Sequence, residues 1–252
     1  MLSSAAGGAS GHSPRRQGGN VGNLLSLIER MGKNLGITAS DGHVLAAYLA
    51  APKGRPRGGL VVIQEAFGVT TYVRSVCEAY AEDGYASIAP ALYDRQRRNT
   101  AFDDSSAPEA LAEARRLRAA LDWPQVMFDV QAAIDEVRSA GRVGIVGYCV
   151  GGSVAWLAAL SLPLAAASCY YGRDIVDFLD RPPKCPAILH FAEHDQHIPL
   201  ADVEHIRAAF PEIPNYVYPA GHGFDGPGKR HHEASARLAR SRTLEHFRRH
   251  IG

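Results

Sequence analysis

From residue 34 onward, short apolar runs alternate with longer stretches in which apolar residues recur every three or four positions. The apolar runs predict strands at residues 36–39, 44–49, 60–63, 85–89, 142–147, 165–171, 187–192 and 216–218. The periodic stretches predict helices at residues 71–83, 106–121, 122–140, 151–160, 201–210 and 233–250. Strands that alternate with helices of this length favour an α/β fold with a mainly parallel central sheet and helices on both faces.

Turn and cap residues mark several element ends. Residues 40–42 (SDG) predict a hairpin turn between the first two strands. Gly84 predicts the end of the first helix, because glycine readily adopts the left-handed conformation that ends helices. Ser106 is the candidate N-cap of the next helix, with Pro108 in its first turn.

The most informative segment is residues 147–152 (GYCVGG), which lies between a predicted strand and a predicted helix. Its G-x-nucleophile-x-G form is that of the nucleophile elbow, with Cys149 in the place of serine. The following helix points its N-terminus at Cys149, which favours a thiolate and a developing oxyanion. The backbone N–H of Val150 is then the expected first oxyanion donor. The alternative is a glycine-rich turn with a buried structural cysteine.

An acid and a base follow the elbow in the chain order that this fold expects. Asp195 comes directly after the strand at 187–192, and His222 comes after the strand at 216–218. Both therefore lie at carboxyl ends of strands, where open α/β sheets keep their sites. We predict that Asp195 orients His222 and that His222 acts as the base. Other candidates remain for these roles: Glu193, Asp202 and Asp225 for the acid, and His190, His194 and His197 for the base.

Composition fits a soluble enzyme better than a nucleic-acid or membrane binder. The 252 residues suit one α/β domain, predicted over residues 31–252. The formal net charge of +1 gives no electrostatic case for nucleic acid or a charged membrane as a partner. Residues 1–22 are rich in Gly, Ser and Ala and lack acidic residues, so residues 1–30 are predicted to be a disordered extension. An extended start before Met31, or an organelle transit peptide, is the alternative.

The four cysteines have irregular spacing and form no C-x-x-C pair. This disfavours a zinc site or a disulfide framework and favours a reducing compartment, hence a cytoplasmic location. His194 and His197 are three residues apart, but no known helical metal motif accompanies them. We therefore expect no metal and no organic cofactor.

Assembled in this order, the motifs resemble those of the dienelactone hydrolase family (carboxymethylenebutenolidase-like) over about residues 34–252. The matching segments are residues 64–68 (QEAFG), 90–95 (PALYDR), 147–152 (GYCVGG), 170–172 (YYG) and 221–224 (GHGF), together with Asp195. The resemblance implies an α/β-hydrolase fold and a Cys149, Asp195 and His222 triad. It also implies that Glu65 lies beside Cys149 and moves aside when substrate binds, and that the Ala66 N–H is the second oxyanion donor. Arg95 would contact an anionic substrate group, and Tyr171 would line the pocket.

The segment after the candidate base departs from the family pattern. Dienelactone hydrolases carry a serine next to the catalytic histidine and an arginine shortly after it, and both help to bind the substrate carboxylate. Here those places hold Gly223 and Gly226. Half of the expected carboxylate clamp is missing, and Arg95, Arg97 or Arg98 is left to compensate.

The predicted function is hydrolysis of a small-molecule ester or lactone through a thioester acyl-enzyme, by a monomer or small homo-oligomer. One alternative is a broad carboxylesterase or thioesterase that uses the same triad. Another is a non-catalytic relative that senses oxidants through Cys149, because accessible thiolates are prone to oxidation. A purely structural partner protein is the third, and it predicts no thiol reactivity.

Overall fold

Eight strands form one sheet in the computed structural model, which describes residues 1–2 and 32–252 of the chain. The strands are β1 (Lys33–Thr38), β2 (Val44–Ala50), β3 (Gly58–Ile63), β4 (Tyr85–Pro90), β5 (Val143–Tyr148), β6 (Ala166–Tyr170), β7 (Ala187–Ala192) and β8 (Asn215–Tyr218). Their order across the sheet is β1-β2-β4-β3-β5-β6-β7-β8. The first two strands run antiparallel to their neighbours, and the six from β3 to β8 run parallel. The prediction of a mainly parallel sheet is confirmed.

The predicted hairpin joins β1 to β2 at one edge of this sheet. Thr38 pairs with Val44, and the N–H of Ala39 donates to the carbonyl of His43 at 2.8 Å. Gly42 in the turn has φ +87°, a conformation that costs glycine little.

The helices lie close to their predicted positions. They are α1 (Thr71–Glu82), α2 (Pro108–Ala119), α3 (Trp123–Val137), α4 (Val150–Ser161), α5 (Leu200–Ala209) and α6 (Glu233–His250). The predicted N-cap of α2 is wrong by one residue. Ala107 occupies that position, and the Ser106 hydroxyl donates to Asp104 instead, at 2.6 Å. The side chain of Asp122 caps α3 by accepting the N–H of Gln125 at 3.0 Å.

The core lies on both faces of the sheet, since every residue of β3 to β7 is buried. Helices α1 and α6 pack together, with the rings of Tyr80 and Phe247 6.1 Å apart. Helices α3 and α4 contact each other and the central strands. Trp156 of α4 is fully buried, and its indole N–H donates to the carbonyl of Phe178 at 3.0 Å. Strands buried on both faces explain why their sequences are continuously apolar rather than alternating.

Residues from Gly32 to Gly252 form one compact unit. The predicted disordered extension over residues 1–30, apart from its first two residues, lies outside the described residues, as does Met31. Among the helices described, none is long and apolar enough to span a membrane.

Candidate active site

Cys149 occupies a strained turn between β5 and α4. Its φ is 58°, in the left-handed region that non-glycine residues rarely adopt. The neighbouring glycines leave no room for side chains: a Cβ at Gly147 would lie 1.8 Å from the carbonyl oxygen of Gly151, and one at Gly151 would lie 2.5 Å from that of Gln64. The G-x-Cys-x-G pattern therefore follows from backbone contact, and the turn presents Cys149, partly exposed, to a cavity.

The two residues predicted to supply oxyanion donors, Ala66 and Val150, lie on separate segments of the cavity wall. Val150 begins α4, where the N–H groups of the first turn lack partners within the helix. Ala66 belongs to the loop after β3, and its carbonyl accepts the hydroxyl of Tyr93 at 3.1 Å. Because Tyr93 does not line the cavity, this hydrogen bond fixes the Ala66 segment without occupying cavity space. Ala66 and Val150 both line the cavity with Cys149.

Asp195 and His222 meet at the carboxyl ends of β7 and β8. The Nδ1 atom of His222 lies 2.8 Å from Oδ2 of Asp195, whose side chain is fully buried. The other carboxylate oxygen, Oδ1, accepts the backbone N–H groups of His197 at 2.8 Å and Ile198 at 3.2 Å. Three bonds thus fix the Asp195 carboxylate, while Nε2 of His222 has no hydrogen-bond partner among the described residues. Nε2 is therefore the nitrogen left to exchange protons.

The surroundings of His222 favour its protonated form. Burial lowers the pKa of His222, but the Asp195 carboxylate and the neighbouring Cys149 outweigh burial and raise this pKa to about 10. A histidine that is charged at neutral pH is in the form that can give a proton to a leaving group. Cys149 lies close enough to His222 to raise this pKa, but Nε2 and the sulfur form no hydrogen bond of standard geometry.

The cavity at this site has a volume of about 680 Å³. Its walls come from the loop after β3, from α2, from the elbow and from the loops after β6, β7 and β8. It is lined by Glu65, Ala66, Phe67, Ser105, Leu111, Arg115, Arg118, Cys149, Val150, Arg173, His194, Gln196, His197, Gly221, His222, Lys229 and Arg230. This size suits a small organic substrate.

Two of the alternative candidates for acid and base, His190 and Asp225, lie outside the residues that line this cavity. His190 is fully buried, and its ring nitrogens contact Tyr218 at 2.8 Å and Thr243 at 3.1 Å. Burial lowers the pKa of His190 to about 3, so this residue stays neutral in the core. Asp225 accepts the hydroxyl of Tyr72 at 2.6 Å. In residues 32–252, no three His, Cys, Asp or Glu side chains lie together in a way that could hold a metal ion.

Arg95 does not lie at the cavity, contrary to the predicted substrate contact. Its guanidinium donates to Asp129 at 2.7 and 2.8 Å and to Asp41 at 2.8 and 3.2 Å. The Asp129 side chain is fully buried, so it requires a cation. Arg95 therefore serves the fold, where it bridges two carboxylates.

Tyr171 also differs from its prediction, because it is fully buried and does not line the cavity. Its ring centre lies 5.0 Å from that of His222, and its φ is 37°. Its hydroxyl has no hydrogen-bond partner within the described part of the chain. Tyr171 thus packs behind the imidazole and supports it.

Glu65, which was predicted to lie beside Cys149, lines the same cavity and is paired with an arginine that the sequence reasoning missed. Arg230 places Nη1 and Nη2 each 3.3 Å from one oxygen of the Glu65 carboxylate. A Cβ at Gly223 would lie 2.7 Å from Nη1 of Arg230, and one at Gly226 would lie 2.9 Å from Nη2. Arg230 thus fills the space left by the two glycines, which were themselves the signal that another side chain occupies this place.

Comparison with known proteins identifies the family of this chain. The sequence profile of the dienelactone hydrolase family matches residues 45–251. Carboxymethylenebutenolidase of Pseudomonas putida is 33% identical over 224 residues, which cover 84% of this chain and 94% of that protein. Carboxymethylenebutenolidase 1 of Cupriavidus pinatubonensis is 31% identical over 220 residues, covering 83% and 93%.

The fold is shared with solved structures as well. A crystal structure of a provisionally assigned dienelactone hydrolase from Klebsiella pneumoniae is similar at a TM-score of 0.74 and 30% identity, covering 87% of this chain and 99% of that one. Sequence and fold agree over nearly the whole compact unit. The chain therefore belongs to the dienelactone hydrolase family and is a hydrolase with the α/β-hydrolase fold.

Proposed function

We propose that this protein hydrolyses an ester or lactone by covalent acyl transfer through Cys149, with His222 as base and acid and Asp195 as its orienting carboxylate. The observation that carries the proposal is the 2.8 Å contact between His222 and the buried Asp195 carboxylate. The other ring nitrogen, Nε2, has no hydrogen-bond partner among the described residues, and His222 lines the same cavity as Cys149. This is the nucleophile, base and orienting group arrangement of covalent catalysis.

In the first half of the reaction, the Cys149 thiolate attacks the ester carbonyl and forms a carbon–sulfur bond. The carbon–oxygen bond of the ester then breaks, and the imidazolium of His222 gives its proton to the leaving oxygen. In the second half, neutral His222 takes a proton from water, and the resulting hydroxide cleaves the thioester. In a lactone the leaving oxygen stays tethered, so the product is one hydroxy acid or its keto tautomer.

The N–H groups of Val150 and Ala66 stabilise the oxyanion of each tetrahedral intermediate. They come from separate elements, the start of α4 and the loop after β3, which converge on Cys149. A preorganised donor costs no reorganisation at the moment of reaction, and its loss typically costs about 10²–10³ in rate.

Arg230 gives this site a preference for substrates that carry a carboxylate. The guanidinium lines the cavity, and its ion-pair partner among the described residues is the Glu65 carboxylate, at 3.3 Å for each bond. A substrate carboxylate replaces Glu65 as the partner of Arg230, because a planar guanidinium binds carboxylates through two parallel bonds. The relatives named carboxymethylenebutenolidase act on a lactone of this kind, and we extend that substrate class to this chain.

The test follows turnover of 4-nitrophenyl acetate, a neutral ester, and of a dienelactone carboxylate. Wild type is compared with Cys149→Ala and with Cys185→Ala, a matched control at a buried cysteine outside the cavity. We expect both substrates to be cleaved, the lactone with the higher kcat/KM, and both activities to vanish only in Cys149→Ala.

Turnover that survives in Cys149→Ala would sink the nucleophile assignment. A wild type that cleaves only the neutral ester would favour the broad carboxylesterase over the lactonase. A wild type that cleaves neither, although Cys149 is alkylated rapidly, would favour a thiol sensor.

A further inference from the structure

The charge on the cavity walls is strongly unbalanced. Five cationic side chains line it: Arg115, Arg118, Arg173, Lys229 and Arg230. Glu65 is the single carboxylate among the described lining residues, whereas the whole chain carries a formal charge of only +1. A cleft lined by one sign of charge concentrates ligands of the opposite sign.

Two of these cations are already neutralised. Arg230 is paired with Glu65 at 3.3 Å. The Nη2 atom of Arg118 contacts both carboxylate oxygens of Asp174, at 2.6 and 2.8 Å. Arg115 and Arg173, in contrast, form no ion pair with any carboxylate in residues 32–252.

The ion pair between Arg118 and Asp174 joins α2 to the segment after β6, and each of these elements carries one of the two arginines that lack a carboxylate partner. Leu111, Arg115 and Arg118 follow one another at helical spacing on α2, and all three line the cavity. Arg173 directly precedes Asp174 in the segment after β6. Arg115 and Arg173 therefore flank a bridge that ties α2 to this segment.

His197 provides independent support for this placement. It lines the same cavity, and its ring centre lies 4.9 Å from that of His222. Burial lowers the pKa of His197, and the charge of His222 lowers this pKa further, whereas the charge of Asp195 raises it. The charges of Arg173 and Arg115 also lower the pKa of His197. Both guanidinium groups thus act on one imidazole at the cavity wall.

We propose that Arg115 and Arg173 form a second anion-binding subsite, so that the substrate is a lactone or ester with two carboxylates. One carboxylate is held by Arg230 beside the reacting bond, and the other by Arg115 and Arg173 at the wall formed by α2. This inference rests on the proposed function and narrows its substrate class. The cavity volume of about 680 Å³ leaves room for a group beyond one small lactone ring.

The test measures binding without turnover, by calorimetry on the full-length Cys149→Ala protein. The probes are linear dicarboxylates of five to eight carbons and the monocarboxylates of equal length. At least one dicarboxylate is expected to bind about tenfold more tightly than its matched monocarboxylate, a preference that weakens as salt is added.

Two variants test whether Arg115 and Arg173 cause the preference for the dicarboxylate. In Arg115→Gln/Arg173→Gln the advantage of the dicarboxylate is expected to fall to about twofold or less. Arg116→Gln, one position along α2, is the matched control, because Arg116 pairs with Glu113 outside the cavity and should keep the full preference. Both arginines of the double variant are exposed, and a thermal melt near that of wild type verifies folding.

Each outcome decides the proposal. Equal binding of dicarboxylates and monocarboxylates, or no binding of either, overturns the subsite, and so does a preference that survives in the double variant. If esters are cleaved through Cys149 but the preference is missing, the proposed function stands and the subsite falls. If the preference is present but no ester is cleaved, the subsite stands and the proposed function falls.

Discussion

Replacing Asp195 by asparagine tests how His222 is held in its working tautomer. The carboxylate oxygen Oδ1 accepts two backbone N–H groups, so the amide oxygen of asparagine must take that place. The amide NH₂ then occupies the Oδ2 position and donates to Nδ1 of His222, 2.8 Å away. This forces the proton of neutral His222 onto Nε2, which can no longer accept a proton from Cys149.

The structure sets the size of the effect. The pKa of His222 stands at about 10 against an ordinary 6.5. At about 1.4 kcal/mol per pH unit, this is a preference of about 5 kcal/mol for the protonated imidazole, shared between Asp195 and Cys149. The hydrogen bond to Asp195 is the largest of the contributions that raise this pKa, so its loss weakens the protonated imidazole. The wrong tautomer adds to this, and the same substitution in serine proteases costs about 10⁴ in kcat. We expect a loss of about 10³–10⁴.

The assay compares kcat for 4-nitrophenyl acetate in wild type, Asp195→Asn and Glu193→Gln. Glu193 is the matched control, since it follows the same strand but is exposed and does not line the cavity. Glu193→Gln should stay within about twofold of wild type. A loss of less than about tenfold in Asp195→Asn, or a larger loss in Glu193→Gln, would refute the assignment of the acid.

Three further outcomes follow from the structure. The added Cβ of Gly147→Ala would lie 1.8 Å from a backbone oxygen, so this variant should lose activity and its Tm should fall by about 10 °C. A Cβ at Gly54 would have no neighbour within 4 Å, so Gly54→Ala should keep the kinetics and the thermal melt of wild type. Arg95→Gln leaves Asp129 buried without its cation, so denaturant titration should show a loss of about 3 kcal/mol, while KM stays within about twofold of wild type. The stability that His222 contributes through its raised pKa is fully present below pH 6.5 and is lost as pH rises through about 10. The value of kcat/KM, corrected for spontaneous ester hydrolysis, should fall over the same alkaline range. A pH profile of kcat/KM that stays flat to about pH 11 would contradict this expectation.

The features that the sequence predicts well are those that depend on local contacts. Strands β3 to β7 are buried on both faces, so their apolar runs are unbroken and their positions are readily found. The elbow is also local, because Gly147 and Gly151 face each other across one turn. Chain order and strand ends favour Asp195 and His222 but leave other candidates open, and the family resemblance singles these two out. Their contact is in the structure, and their roles remain proposals.

The features that escape the sequence depend on where distant segments meet. Arg95 lies in a segment that resembles a substrate loop, but its partners Asp129 and Asp41 are 34 and 54 residues away along the chain. Arg230 lines the cavity from a loop that returns toward its start, since the N–H of His232 donates to the carbonyl of Phe224 at 3.0 Å. No periodicity or local motif encodes such a path. The two glycines after His222 signal the empty space, but not the residue that fills it.

The central claim, a thioester on Cys149, is tested most directly by trapping it. Wild type is mixed with 4-nitrophenyl acetate, quenched with acid within the first turnovers, and weighed intact by mass spectrometry before and after hydroxylamine. The account predicts an added acetyl mass that hydroxylamine removes, that peptide mapping places on Cys149, and that Cys149→Ala lacks. An acetyl group on another residue, or undiminished turnover in Cys149→Ala, would contradict it.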